Sequence, residues 1–295
     1  MRVRAILLTL LVMAAVPACC PGKKGSEKKD MCVQMYSARS ILTTENYADI
    51  LKEIAAMGYT AVEAASYDGD EGLIYGDTPE VFKQKVEDAG MKALSAHVTR
   101  ALTREELDSG DFADALAWWD KCIDVHKRAG MAYLVTPWMG PQKDLKDLQV
   151  YCDYLNEVGR RCKAAGIKYG YHNHDYEFEK VEGEVMYDYL LAHTDPELVF
   201  FQMDVYWAVI GNASPVDYFK RYPGRFRMLH IKDEWEVGQS GMVGFDAIFK
   251  NADLAGLENF VVEIERYSYD DIRQSFKESA DYLLQAPFVK ATYTN

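Results

Sequence analysis

Gly166-Ile167-Lys168-Tyr169-Gly170-Tyr171-His172-Asn173-His174-Asp175 contains the unit from which the fold can be read. A glycine stops a helical pattern, a short buried-type run over 168–173 reads as a strand, and ligand-type side chains stand at its end. The same order of helix, glycine and strand recurs at Gly58, Gly90, Gly130 and Gly256. Strands are expected over 32–36, 61–64, 92–96, 133–136, 168–173, 199–204, 228–232 and 261–264. Helical period lies between them. Tyr47, Ile50, Leu51 and Ile54 mark one apolar face, and Thr78-Pro79 opens the next helix in the N-cap/N1 arrangement. Further helices are expected over 112–129, up to Gly166, and over 187–191, 215–221, 246–255 and 270–284. Strands joined by helices must run parallel. Eight such units in about 265 residues fit an α/β fold, the closed (β/α)8 TIM barrel. An open doubly wound sheet is the alternative, but no phosphate-binding Gly-x-Gly-x-x-Gly follows any strand.

In a barrel of this kind the chemistry sits at the C-terminal ends of the strands. Those ends collect His97, His172, His174, Asp175, Asp204, Trp207, His230, Lys232, Asp233, Glu263 and Glu265. The chain has 6 histidines, and His97, His172, His174 and His230 all fall in this set. Imidazoles and carboxylates without a thiol suit one divalent ion with open coordination positions: manganese, zinc, cobalt, iron(II) or magnesium. Within a strand, period two places His172 with His174, His230 with Lys232, and Glu263 with Glu265 on one face. Each pair can offer one metal ligand and one group facing substrate, with Asn173 turned away. Tyr36, Tyr67, Trp138, Tyr206, Trp207, Trp235 and Tyr267 cluster at the same ends, where aromatic faces suit sugar C–H faces or shield the site from water.

The remaining composition narrows the partners. Hydrophobic residues make up 49% of 295, enough for a large core, and the net charge of -13 argues against nucleic acid, whose phosphates need Lys/Arg clusters. Arg2 and Arg4 precede an apolar run over 5–16 and then Val16-Pro17-Ala18-Cys19, the pattern of a secretory signal. A cysteine directly after the small residue reads as a bacterial lipoprotein signal with Cys19 lipidated. The expected organisation is a signal over 1–18, a flexible tether over 19–30 and one barrel domain over 31–295. The protein is then exported to the periplasm and touches a membrane only through its N-terminal lipid. Cys122, Cys152 and Cys162 fall in helical patterns as small buried hydrophobes. With Cys32, they show no zinc spacing.

At these residues the chain resembles the xylose-isomerase-like TIM barrels, the group that includes sugar phosphate isomerases/epimerases, and within it the branch of inosose dehydratase. The resemblance covers nearly all of the chain after the signal. It rests on Gln34-Met35-Tyr36-Ser37, Tyr171-His172-Asn173-His174-Asp175-Tyr176-Glu177-Phe178, Met203-Asp204-Val205-Tyr206-Trp207-Ala208, Arg225 to Asp233, and Val262-Glu263-Ile264-Glu265. It implies metal ligation by His172, Asp204, His230 and Glu263. Where the family's epimerases carry a catalytic glutamate on the fifth strand, this chain has His172, which puts a two-carboxylate epimerisation in doubt unless Glu177 substitutes.

The expected activity is therefore proton abstraction next to a carbonyl of a carbohydrate or keto-sugar, ending in isomerisation, epimerisation or elimination. Glu263 or Glu265, with His172 or His174, would move the proton, and Lys232 would hold a developing oxyanion. His97, His174, Glu177, Trp207, Asp233 and Trp235 would line the sugar pocket. No basic phosphate cradle is present, so an unphosphorylated sugar is expected. A lipid-anchored sugar-binding protein on a decayed barrel would show a broken ligand set. A metal nuclease on this barrel would need more histidine and a basic groove.

Overall fold

The computed structural model describes residues 28–294, so the expected signal, Cys19 and most of the tether lie outside the described residues. In chain order the elements are β1 (Cys32–Gln34), α1 (Tyr47–Ala56), β2 (Ala61–Ala64), α2 (Pro79–Asp88), β3 (Lys92–His97), α3 (Arg104–Ser109), α4 (Ala113–Arg128), β4 (Tyr133–Thr136), α5 (Leu145–Ala165), β5 (Lys168–His172), a hairpin of β6 (Lys180–Val181) and β7 (Glu184–Val185), α6 (Met186–His193), β8 (Val199–Asp204), α7 (Val205–Ile210), α8 (Pro215–Arg221), β9 (Met228–Ile231), α9 (Phe245–Lys250), α10 (Ala252–Ala255), β10 (Asn259–Val262) and α11 (Ile272–Gln285). Eight parallel strands close in the order β1-β2-β3-β4-β5-β8-β9-β10, and β10 returns to β1 through Cys32↔Val261 and Val33↔Val262. The chain is a TIM barrel, as its alternation of strands and helices predicts.

Four strands, β1, β5, β9 and β10, stop earlier than expected, and the reasons are local at β1 and β5. Gln34 ends β1 because its side-chain oxygen accepts the Tyr36 amide at 2.9 Å and a 3-10 turn begins at Met35. His172 ends β5 because the Asn173 side chain takes over the backbone of the next strand: its oxygen accepts the Asp204 amide at 3.1 Å. Lys232 and Glu263 consequently stand just beyond the last ladder pairs of β9 and β10. Helix α3 was not expected, yet Thr103 and Glu106 form a capping box that marks its start. The helix expected over 246–255 is two, divided at Asn251.

Alternation along the strands fills the barrel in two layers. Cys32, Ala61, Tyr133, Val135, Phe200, Met228 and Val261 form an apolar cluster separate from the outer core between strands and helices. Two residues further toward the mouth on several of these strands, the inward positions become polar: Gln34, Glu63, Gln202 and His230, all fully buried. Gly170 keeps the lower layer closed, since a Cβ there would lie 2.6 Å from the Phe200 ring.

The expected tether is shorter than drawn. Lys29 is buried, and its ammonium donates to the Leu283 and Ala286 carbonyls at the end of α11, while the Asp30 amide donates to Ala291. The fold therefore begins by Lys29. Cys32, Cys122, Cys152 and Cys162 are free and buried. Among the described residues no helix is long and apolar enough to cross a membrane.

Gly159 provides a test of the outer packing. It lies inside α5, where alanine would gain about 1 kcal/mol of helix propensity. A Cβ there, however, would sit 2.5 Å from the Leu198 carbonyl oxygen, a backbone atom that cannot swing away. Overpacking of this kind costs about 1–3 kcal/mol. Gly159→Ala should therefore be destabilised by up to about 2 kcal/mol, read as a lowered urea midpoint, and a raised midpoint would show that propensity wins.

Candidate metal centre and active-site cavity

The ladder register brings the ligand-type residues together. His172 lies opposite Gln202 on β8, and Asp204 opposite His230 on β9. Glu263 follows the last pair, Val262↔Ile231. His172, Asp204, His230 and Glu263 each offer one ligand atom, all within 4.8 Å of one another, and all four residues are buried. His230 Nδ1 lies 3.2 Å from Glu263 Oε2. Asp204 caps α7 with one oxygen, which accepts the Trp207 amide at 2.8 Å, and its Oδ2 is buried with no hydrogen-bond partner. An orphaned carboxylate oxygen beside a second carboxylate and two imidazoles is a donor set that fits a divalent cation. Ligand bonds of about 2.1 Å are within reach of small side-chain movements. His97, His172 and His230 form a second close group.

A carboxylate missed by the sequence reading lies beneath this cluster. Glu63 of β2 is completely buried. It accepts from Gln34 Nε2 at 2.8 Å, Ser95 Oγ at 2.7 Å and Gln202 Nε2 at 2.8 Å, and it faces His230 Nε2 at 2.7 Å and His97 Nε2 at 3.1 Å. Gln202 Oε1 in turn faces His97 Nε2 at 2.7 Å and His172 Nδ1 at 3.2 Å. An acid within the apolar run Ala61-Val62-Glu63-Ala64 was the available signal, because a buried charge is rare unless partnered. Gln202 stands two residues before Asp204, on the same face.

The electrostatics follow from these contacts. Burial alone would raise the Glu63 and Glu263 carboxyls. The imidazoles of His97 and His230 hold Glu63 near 2, and the hydrogen bond from His230 holds Glu263 near 2. Burial would lower His230, but Glu63 and Glu263 lift it to about 10. Asp204 is raised by burial to about 7, tempered by Lys232. His172 is pushed well below the usual range by burial and by the neighbouring imidazoles. The centre thus concentrates negative charge on Glu63 and Glu263, with Asp204 poised to ionise as a cation approaches.

A cavity of about 370 Å³ opens above the cluster, lined by Tyr36, Ala65, His97, Thr99, Pro137, Trp138, His172, His174, Glu263 and Glu265. Glu265 thus faces the cavity while Glu263 belongs to the ligand cluster. Lys232 is buried and donates to Glu265 Oε2 at 2.5 Å, with its ammonium against the Tyr206 and Trp207 rings. The His174 ring packs against Trp138 and Trp207, and its Nδ1 has no partner. Tyr36 and Trp138 are the exposed aromatics of the rim, at 48% and 44%.

Four expected pocket residues do not line the cavity: Trp207 packs behind His174 and over the Lys232 ammonium, and three others lie elsewhere. Glu177 is fully buried off the cavity, where its Oε1 accepts the Tyr171 hydroxyl at 2.6 Å and its Oε2 the His174 amide at 2.8 Å. These two hydrogen bonds turn it away from the mouth, so it braces the loop and adds no carboxylate to the cavity beside Glu263 and Glu265. Asp233 braces the next loop, accepting the Glu234 and Gly238 amides and the Ser240 hydroxyl. Trp235 is exposed on that loop and does not line the cavity.

Comparison with known proteins agrees with this fold. Residues 51–286 match the family described as xylose isomerase-like TIM barrel. A sugar phosphate isomerase/epimerase from Parabacteroides distasonis superimposes with a TM-score of 0.82 at 35% identity, covering 93% of this chain and 100% of that one. An inosose dehydratase from Geobacillus kaustophilus is 24% identical over 200 residues, which span 62% of this chain and 61% of the dehydratase, less than two thirds of its length. The IOLI protein, solved with a zinc atom, shares the fold at 14% identity with a TM-score of 0.66, covering 86% of this chain and 97% of that one.

Glu177 gives a pH test that separates bracing from catalysis. Burial raises its carboxyl to about 7, against about 4.3 in an unfolded chain. The fold favours the protonated form, so its contribution is complete below the unfolded value and is lost as pH rises through about 7. The neutral isostere in Glu177→Gln keeps both contacts without this dependence. The stability of the variant minus that of the wild type should rise by on the order of 3 kcal/mol between about pH 4 and pH 8 in urea unfolding. A pH-independent difference would refute the burial of an ionisable group here.

Proposed function

The chain belongs to the xylose isomerase-like TIM barrel family, and on that premise we propose an enzyme that removes a proton next to a carbonyl of a carbohydrate or keto-sugar, with one divalent metal held by His172, Asp204, His230 and Glu263. The observation that carries this reading is the cluster of four buried residues whose ligand atoms lie within 4.8 Å of one another, together with the unpartnered Oδ2 of Asp204. A metal there supplies Lewis-acid polarisation of the carbonyl and steadies negative charge on the adjacent oxygen.

The chain's own groups divide the remaining work. With Glu263 in the ligand cluster, Glu265 is the carboxylate left to face the substrate, and it takes the proton. Lys232, bonded to Glu265 at 2.5 Å, holds that carboxylate in place and offers a donor to the developing oxyanion. His174, whose Nδ1 has no partner, delivers or accepts a proton from another direction. Tyr36 and Trp138 offer exposed aromatic faces for sugar C–H groups at the rim. The -13 net charge and the absence of a basic cradle among the lining residues favour a neutral sugar over a phosphorylated one.

Elimination is the favoured outcome of the proton removal. Epimerisation through two opposed carboxylates needs a second one across the substrate, and His172 stands at that position while Glu177 lies off the cavity. The relatives named inosose dehydratase support loss of a β-leaving group after the α-proton departs. The N-terminal Arg2, Arg4, apolar run and Cys19 support an exported, periplasmic, lipid-anchored enzyme that meets its substrate outside the cytoplasm.

Two measurements test the reading. Protein purified without chelator should carry near-stoichiometric divalent metal by elemental analysis, and Asp204→Ala should lose it; full activity of metal-free wild type would overturn the metal role. With a panel of keto-glycosides and free ketoses followed by NMR in deuterated water, keto-glycoside cleavage or dehydration should be the faster reaction. Lys232→Met should then cut kcat by about 10²–10³. Clean interconversion of two ketose epimers with no turnover of keto-glycosides would replace elimination by epimerisation.

A further inference from the structure

We infer that Glu63 is the positioning residue that selects which nitrogen each of the two ligand imidazoles presents to the metal: Nδ1 of His230 by direct contact, and Nε2 of His172 through the side-chain amide of Gln202. The inference rests on the metal reading above and extends it to residues outside the ligand set.

The direction of every hydrogen bond in this chain of contacts can be worked out from its fixed ends. The Tyr36 backbone amide can only donate, and it meets Gln34 Oε1 at 2.9 Å. Gln34 therefore turns its NH₂ toward Glu63, which it meets at 2.8 Å. Glu63 also takes the Ser95 hydroxyl at 2.7 Å, so both of its oxygens are occupied as acceptors. Facing such an acceptor at 2.8 Å, Gln202 must present Nε2, which leaves Oε1 on its other side. That oxygen meets His172 Nδ1 at 3.2 Å, so Nδ1 carries the hydrogen and the lone pair of His172 is on Nε2. His230 meets the Glu63 carboxylate with Nε2 at 2.7 Å, so Nε2 carries the hydrogen, and Nδ1, 3.2 Å from Glu263, holds the lone pair when a cation is bound. His97 Nε2 donates to the same two acceptors, at 2.7 Å to Gln202 and 3.1 Å to Glu63. That nitrogen is therefore not available as a ligand.

The arrangement gives two ligands on different strands, β5 and β9, opposite nitrogen usage from one carboxylate on a third strand. Outer partners of this kind fix ligand tautomer and orientation, and their loss usually weakens metal affinity by about 10–100-fold. Gln cannot replace Glu63 here. Its NH₂ would face either a donor from the Gln34 and His230 side or one from the Ser95 and Gln202 side.

Cadmium-edited proton NMR of the cadmium-loaded wild-type protein tests the assignment directly. Coupling to Hε1 alone marks an Nδ1 ligand, and coupling to both Hε1 and Hδ2 marks Nε2. The expected pattern is Hε1 alone for His230 and both protons for His172. Competition against a chromogenic zinc chelator should show affinity lower by about 10–100-fold in Glu63→Gln. Gln202→Met should lose affinity while keeping the His230 coupling pattern, a split that general loosening of the barrel would not produce. If Glu63→Gln does not fold, the wild-type pattern and Gln202→Met decide the matter. Cadmium bound through other nitrogens, or unchanged affinity in folded Glu63→Gln, overturns the inference and leaves the metal reading standing. A wild-type protein that binds no cadmium overturns both.

Discussion

The carboxylate of Glu63, buried inside a closed barrel, constrains much of what surrounds it. An isolated charge in such a place is costly by several kcal/mol, and it is tolerated only where neighbouring groups all donate to it. Gln34, Ser95, Gln202, His97 and His230 do so from four further strands. Their side chains reach one point because closure of the barrel brings β1, β2, β3, β8 and β9 around a common axis. The ligand cluster is built on that polar layer, and the apolar plug beneath it, with Phe200 over Gly170, keeps water from reaching the charge from below. Removing the carboxylate would leave buried donors unmatched, which is costlier than losing one average hydrogen bond.

The same layer explains the separation of tasks around the cavity. Glu263 is drawn down by His230, whereas Glu265, two residues later and on the same face, meets the buried ammonium of Lys232. One carboxylate thus belongs to the floor and the other to the wall. A single segment thus gives one acid to the candidate metal cluster and another to the cavity wall, and His172 with His174 repeats the arrangement across the mouth.

Much of this was legible in the sequence. Alternation of strand and helix, with glycines at the junctions, predicts the barrel, and the four residues of the candidate metal cluster were readable from their positions at strand ends. Glu63 and Gln202 were not, because their partners lie far along the chain: 167 residues separate Glu63 from His230, and 139 separate it from Gln202. Glu177 and Asp233 were read into the pocket because they sit within a few residues of true pocket groups. Past the last ladder pair, however, the period-two rule no longer decides direction, and loop hydrogen bonds turned both side chains away. Helix α3 carried a readable capping box, but its short length hid it within a loop. The shortened tether was illegible because Lys29 finds its carbonyl partners 254 and 257 residues later.

The anchoring of Lys29 also gives the molecule a polarity. The chain enters β1 from the face where α11 ends, held there by the Leu283 and Ala286 carbonyls, and the strands then run toward the mouth. Lys29 therefore lies at the end of the barrel opposite the cavity. The end where α11 and the start of β1 are tied together and the end that opens into the cavity are thus opposite faces of the molecule, so a contact made at the first leaves the second unobstructed.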